Sequence, residues 1–334
     1  MKLIPALACV LALAPLPALG NDTSAVLSTG GLDFVTNENV EMLSEVLEIS
    51  KEEIRVTYEF RNKSDQDESV LVAFPMPEIT PNWWSPVAFP EGPDDNPFQF
   101  ETTFNGEPVE ATLHQYAYAF GVDRTEYITG LGLPIVPFSQ AASAATDALD
   151  DETTAEMLRL GLVVPDEFDQ GNGWEKHYWP AWRWRATYTW DAVFPAGETV
   201  TVVHHYKPSV GGTVGVSFMS PAYEDYDPAT EYAGKYCTDD GFLNAVRKTM
   251  KDGEPYSAPF FESWISYVLT TGANWGGSIG NFKLIVDKGD PKNLISFCGE
   301  DIKKTGPTTF EMVKTDFFPS KDLEILILER QTAE

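Results

Sequence analysis

The chain has 334 residues, 51 acidic against 23 basic side chains, a formal net charge of -28, and 13% aromatic residues, nine of them tryptophan. So negative a field disfavours nucleic acid and anionic lipid as partners, since both require a positive surface; a basic protein, a cation or a neutral ligand remains compatible with it. The length exceeds what one core ordinarily serves and predicts two units.

Residues 1–20 read as an export leader. Lys2 is followed by an apolar run from Leu3 to Ala14 and by Ala18-Leu19-Gly20, with small residues spaced for a signal peptidase. The mature chain is expected to begin near Asn21 and to be periplasmic or secreted. A lipid on Cys9 is disfavoured, because too few residues precede it for a targeting segment. No later stretch approaches the ~20 apolar residues that span a bilayer. Cys9 leaves with the leader. Cys237 and Cys298 then remain, in no Cys-x-x-Cys motif, and an oxidising compartment favours a structural disulfide between them. Closing a loop of that length contributes about 4 kcal/mol in the chain-entropy model.

The pattern along the chain predicts a mainly β protein of antiparallel β-sandwich units, with a short helical insertion and one further amphipathic helix. Leu47 and Ile49 lead into Ile54, Val56, Tyr58 and Phe60, which alternate with Arg55, Thr57, Glu59 and Arg61; an extended backbone puts the apolar set on one face. Ser69 to Phe74 returns after a polar turn, stopped by Pro75 and Pro77, so a three-strand meander is expected. Between Pro77 and Asn105 the proline density excludes a central strand, and Trp83-Trp84 sit within this loop. Asn105-Gly106 reads as a hairpin turn. The helical insertion is placed at about 130–173, with an alanine-rich Ser139–Leu149 stretch and a capping box at Thr153-Thr154-Ala155-Glu156 opening a helix that ends at Gly161. Trp182, Trp184, Ala186, Tyr188 and Trp190 then share a strand face opposite Arg183 and Arg185. Thr199 to Tyr206 is its partner, and Gly211-Gly212 marks a turn before Val214–Phe218. These elements form a first domain over 21–218. A second, over 219–334, carries a helix at about 240–250 capped by Asp239, then strands at Trp264–Thr270, Asn281–Val286, Leu294–Cys298, Thr309–Val313 and Leu323–Leu328.

Several segments together resemble a bacterial family known as domain-of-unknown-function family 4424. They are Gly30-Gly31-Leu32, Met42-Leu43-Ser44-Glu45, Ile54 to Asn62, Ala73-Phe74-Pro75-Met76-Pro77, Trp190 with Phe194-Pro195-Ala196, His205 to Gly211, Val286-Asp287-Lys288-Gly289 and Ser296-Phe297-Cys298-Gly299. The resemblance implies an exported bacterial protein of unassigned activity and brings no catalytic residue with it. Tyr58-x-Phe60-x-Asn62 followed by Phe74-Pro75-x-Pro77 also resembles the opening of the vault and inter-alpha-trypsin inhibitor type of β-sandwich, a likeness that bears on fold alone.

Candidate chemistry is sparse. His204 and His205 are strand neighbours and point to opposite faces, so they do not share one ion; His114 or His177 would have to converge with a carboxylate to make a metal site. No metal or other cofactor is expected. Nucleophilic hydrolysis lacks a Gly-x-Ser-x-Gly elbow, and with 51 acids any chosen pair is uninformative. Gly272 to Gly280 leads into a strand, which argues against a phosphate-cradling loop. Aromatics are the informative excess, and Trp83 and Trp84 are the candidate binding surface. The reading is a non-catalytic binding or interaction module of the cell envelope with a protein or saccharide partner. The alternative is a carboxylate-dependent hydrolase acting on envelope or polysaccharide material.

Overall fold

The computed structural model describes residues 21–331 apart from 29–30, 82–86, 91, 94, 170, 172, 224–225 and 252. The alternation that organises the sequence is realised directly. In the Ile54–Asn62 strand, Ile54, Val56, Tyr58 and Phe60 are wholly buried while Arg55, Glu59 and Arg61 are exposed. In the Arg183–Phe194 strand, Trp184, Ala186, Tyr188 and Trp190 turn inward. Arg183 and Arg185 project to the other side and both reach the Glu78 carboxylate, at 2.7 and 2.8 Å.

Three larger sheets result. The first, six-stranded, runs in the order Val122–Asp123, Thr112–Ala119, Arg183–Phe194, Glu68–Pro75, Thr23–Ser28, Gly31–Val35. An eight-stranded sheet runs Lys303–Lys304, Thr309–Phe317, Ile279–Asp287, Val40–Ile49, Ile54–Asn62, Thr199–Tyr206, Glu101–Phe104, Glu107–Val109. Finally, a five-stranded sheet runs Leu294–Phe297, Leu323–Arg330, Phe260–Tyr267, Val210–Val214, Val87–Ala88. The main core lies between their inner faces. Phe60 packs edge-on to Phe194, Phe74 lies against Phe100 and Tyr206, and Phe100 stacks on Tyr188 at 4.4 Å. The eight-stranded and five-stranded sheets each take strands from both sides of residue 218.

Some expectations are corrected by long-range pairing, which local pattern does not encode. The Val40–Ile49 and Ile54–Asn62 strands form a hairpin, but Glu68–Pro75 leaves for the facing sheet and pairs with Arg183–Phe194, so no meander forms. Asn62 holds that crossing: its amide donates to the carbonyls of Gln66 and Phe194. The Ile279–Asp287 strand runs parallel to Val40–Ile49, the one parallel pairing among the named strands of the described residues. Gly211-Gly212 is a strand interior, paired with Trp264 and Ser263. Glycine is needed there for close approach, since a Cβ on Gly211 would stand 2.8 Å from the Trp264 ring. The chain after it closes into a short 3-10 turn at Ser217–Met219 in place of a strand.

The insertion is helical only as far as Leu160. Helices at Thr125–Gly130, Gln140–Asp147 and Asp151–Leu160 precede a two-stranded ribbon of Val163–Asp169 and Trp174–Pro180. Asp150, rather than Thr153, caps the Asp151–Leu160 helix by accepting from the Thr153 amide at 2.9 Å, and Gly161 ends it in the left-handed conformation as expected. Asp239 caps the Asp240–Arg247 helix as expected. A helix at Pro228–Tyr236 precedes it, beyond the sequence expectation, although Asp227 as cap and Pro228 at its first position are start signals. Cys237 and Cys298 form the disulfide, joining the end of that helix to the residue after the Leu294–Phe297 strand.

Candidate functional site

Trp83 and Trp84 lie outside the described residues. The four histidines do not gather. His204 faces the core against Asp22, His205 turns outward to Glu101 at 3.2 Å, His114 meets the Thr189 hydroxyl at 2.9 Å, and His177 meets Asp147 at 2.7 Å. Among the described residues no group of three or more His, Cys, Asp or Glu is placed to hold a metal ion.

Two features absent from the sequence reading are the chemically notable ones. The first is a polar cluster inside the main core. Asn21, Asp22 and Thr23 are fully buried, as are Glu45 and His204 around them. The His204 ring lies 3.0 Å from the Asp22 carboxylate and is walled by Phe74, Phe100 and Trp190. Trp275 donates its indole N–H to the Asp22 carbonyl at 2.6 Å. The Asn21 amide donates to Glu45 Oε2 at 3.0 Å, while its carbonyl oxygen accepts from the Tyr58 hydroxyl, itself 3.1 Å from that of Tyr267. Burial raises both acids. Glu45 is pushed up to about 8, with the Asn21 bond opposing and the Asp22 charge adding. Asp22 is raised by burial against the downward pull of His204. Asn21, Asp22, Thr23, Glu45 and His204 are all withdrawn from solvent, so their chemistry is internal to the fold.

The second feature is an open cleft of about 670 Å3 between the proline-rich loop and the insertion. Val87 and Phe89 form one wall, Ile135, Val136 and Phe138 the other, and Gln115 and Gln140 supply amide groups. Phe89 and Phe138 stack at 5.8 Å, which joins the two walls at one end. Two core tryptophans fix the shape from below. Trp182 donates to the Ile135 carbonyl at 2.7 Å, and Trp184 donates to the Gln115 side-chain oxygen at 3.1 Å. No described residue lining the cleft is ionisable. Such a surface can hold an uncharged ligand by apolar contact and orient it with a few amide hydrogen bonds. The run of prolines before Asn105 is the signal available in the sequence, but the wall opposite it comes from a segment more than thirty residues on.

A third buried carboxylate, Glu262, is saturated with donors. It accepts from the Ser217 hydroxyl at 3.0 Å, Tyr232 at 2.7 Å and Trp264 at 3.2 Å, together with the Ser217 backbone N–H. It ties the Pro228–Tyr236 helix to the five-stranded sheet, and burial raises its carboxyl.

A family model described as a domain of unknown function, DUF4424, matches residues 20–326. The chain belongs to that family. No curated protein matches the DUF4424 chain. Among solved structures it is similar to a protein of Legionella pneumophila subsp. pneumophila str. Philadelphia 1 described as a "putative nutrient binding protein". Identity is 16%, the match covers 93% of this chain and 70% of that one, and the TM-score is 0.42. No helix among the described residues of the DUF4424 chain is long and apolar enough to cross a membrane.

Proposed function

We propose that this DUF4424 protein is an exported, non-catalytic binding protein of the cell envelope, and that an uncharged peptide segment or saccharide of its partner seats in the cleft between the proline-rich segment at Val87 and Phe89 and the insertion. The observation that carries this reading is the lining: apolar walls with Gln115 and Gln140 amides, shaped by the Trp182 and Trp184 hydrogen bonds beneath them. Desolvating such walls favours association, and the exposed Gln140 amide sets orientation. The strongly negative surface repels anionic competitors and leaves neutral or cationic partners. Trp83 and Trp84 precede Val87 closely in the sequence and belong to the same proposed contact region.

The test is calorimetric titration of purified protein with two panels, neutral envelope oligosaccharides and uncharged peptides. Binding by a member of either panel that Phe138→Asp weakens at least ~10-fold, with unfolding temperature unchanged, supports the cleft. Binding that Phe138→Asp leaves untouched but Trp83→Ala with Trp84→Ala abolishes moves the site to the tryptophan segment alone.

A further inference from the structure

The Thr23–Ser28 strand begins inside the molecule. Asn21 and Asp22, the two residues before it, are fully buried, and the backbone nitrogen of Asn21 donates to the Thr271 hydroxyl, which in turn donates to the Asn21 carbonyl. Space there is closed: a Cβ on Gly272 would stand 2.7 Å from the Asn21 side-chain nitrogen. The surroundings are acidic. Asp22 pairs with His204, Glu45 bonds the Asn21 side chain, and the hydroxyls of Tyr58 and Tyr267 lie against the Asn21 side-chain oxygen. Glu45 Oε2 is bonded to Asn21, whereas its other oxygen, also buried, has no hydrogen-bond partner among the described residues. A buried carboxylate oxygen without a donor is costly, and the site offers a second carboxylate with it.

We propose that the α-ammonium group released by cleavage before Asn21 is the missing cationic partner of the Glu45 and Asp22 carboxylates, so that the mature start of the chain locks the core and the fold is completed only after processing. This rests on the reading of residues 1–20 as an export leader. Water adds across the Gly20–Asn21 peptide bond: the Gly20 carboxylate leaves with the leader, and the amine stays on Asn21, protonated at neutral pH. One bond is broken and one positive charge is created on Asn21, the residue whose side chain bonds Glu45. The order of events follows from burial. With Asn21 enclosed, a leader peptidase cannot reach the bond in the folded molecule, so cleavage precedes docking of the Thr23–Ser28 strand.

The experiment compares two proteins released from a cleavable fusion in vitro, one beginning at Asn21 and one carrying Gly-Ser-Gly ahead of it, each with and without Glu45→Gln. The native-terminus protein is expected to melt higher by roughly 5 °C or more, and Glu45→Gln to remove most of that gap. Reaction of its α-amine with an acylating reagent, read by mass spectrometry of the terminal peptide, is expected to be roughly tenfold slower in the folded than in the unfolded state. Failure of the extended protein to fold while the native-terminus protein folds also supports the proposal. Equal melting of the two proteins, a gap that Glu45→Gln leaves intact, or an α-amine that reacts as fast folded as unfolded would overturn it. Terminal sequencing of the exported protein tests the leader reading separately: a start elsewhere than Asn21 refutes that reading without bearing on the in vitro comparison.

Discussion

His204 and Asp22 meet at 3.0 Å with both side chains withdrawn from solvent, one from the Thr199–Tyr206 strand and the other from the residue just ahead of the Thr23–Ser28 strand. The contact joins the eight-stranded sheet to the six-stranded one through their shared core. Its aromatic surroundings leave neither group a substitute partner in water.

Removing one member therefore takes a buried partner from the other. His204→Ala is expected to lower stability by about 3–5 kcal/mol, because it removes the side chain bonded to the buried Asp22 carboxylate. Urea unfolding at neutral pH measures it, and a loss below about 1 kcal/mol would contradict the pairing.

The pH dependence has a definite sign. In a chain that retains residues ahead of Asn21, the Glu45 carboxyl stands at about 8 in the fold against an ordinary value of 4.5, so the folded state holds a proton that the unfolded chain releases between those values. Its contribution is complete below 4.5 and is lost as pH rises through about 8. Asp22, Glu262 and Glu324 are also raised by burial and tilt stability the same way. For a chain retaining residues ahead of Asn21, the urea midpoint should fall between about pH 5 and about pH 8, and Glu45→Gln should reduce the slope. A slope unchanged by Glu45→Gln would show that this carboxyl is ionised in the fold throughout.

Trp182→Phe removes the donor to the Ile135 carbonyl and leaves a small void where the second indole ring packed. The expected cost is about 1–2 kcal/mol, accompanied by faster amide exchange around Leu133 to Ala142, the wall of the cleft. Exchange as slow as in the unaltered protein would mean that the wall is held by packing alone.

Opening the disulfide releases the loop between Cys237 and Cys298, which are 61 positions apart. The double substitution Cys237→Ser with Cys298→Ser is expected to cost about 2–4 kcal/mol, read as a matching drop on reduction of the unaltered protein. Unequal effects of substitution and reduction would point to a packing role for one of the two side chains.

How much of this is legible in the sequence depends on whether the cause is local. Alternation exposes the Ile54–Asn62 and Arg183–Phe194 strands, because a half-buried pleat imposes period two on side-chain chemistry. His204 on an apolar face is readable as a core histidine, yet its partner is not: Asp22 sits beside the expected cleavage point, where no periodic pattern surrounds it. The departure of Glu68–Pro75 to the other sheet is decided by pairing with a strand over a hundred residues away. Gly211-Gly212 looks like a turn since a glycine pair signals one, and only the Trp264 ring across the ladder shows that close approach is the reason for it. The cleft depends on Phe89 meeting Phe138, a contact between segments that carry no common motif.

The most direct measurement of the functional account is chemical-shift mapping by nuclear magnetic resonance with a library of small neutral fragments, which can be run before the natural ligand is identified. Binding at the proposed cleft predicts that fragment hits cluster on Phe89, Gln115, Ile135, Phe138 and Gln140. Hits that cluster on another surface, or a library that leaves these five residues unperturbed, would contradict it.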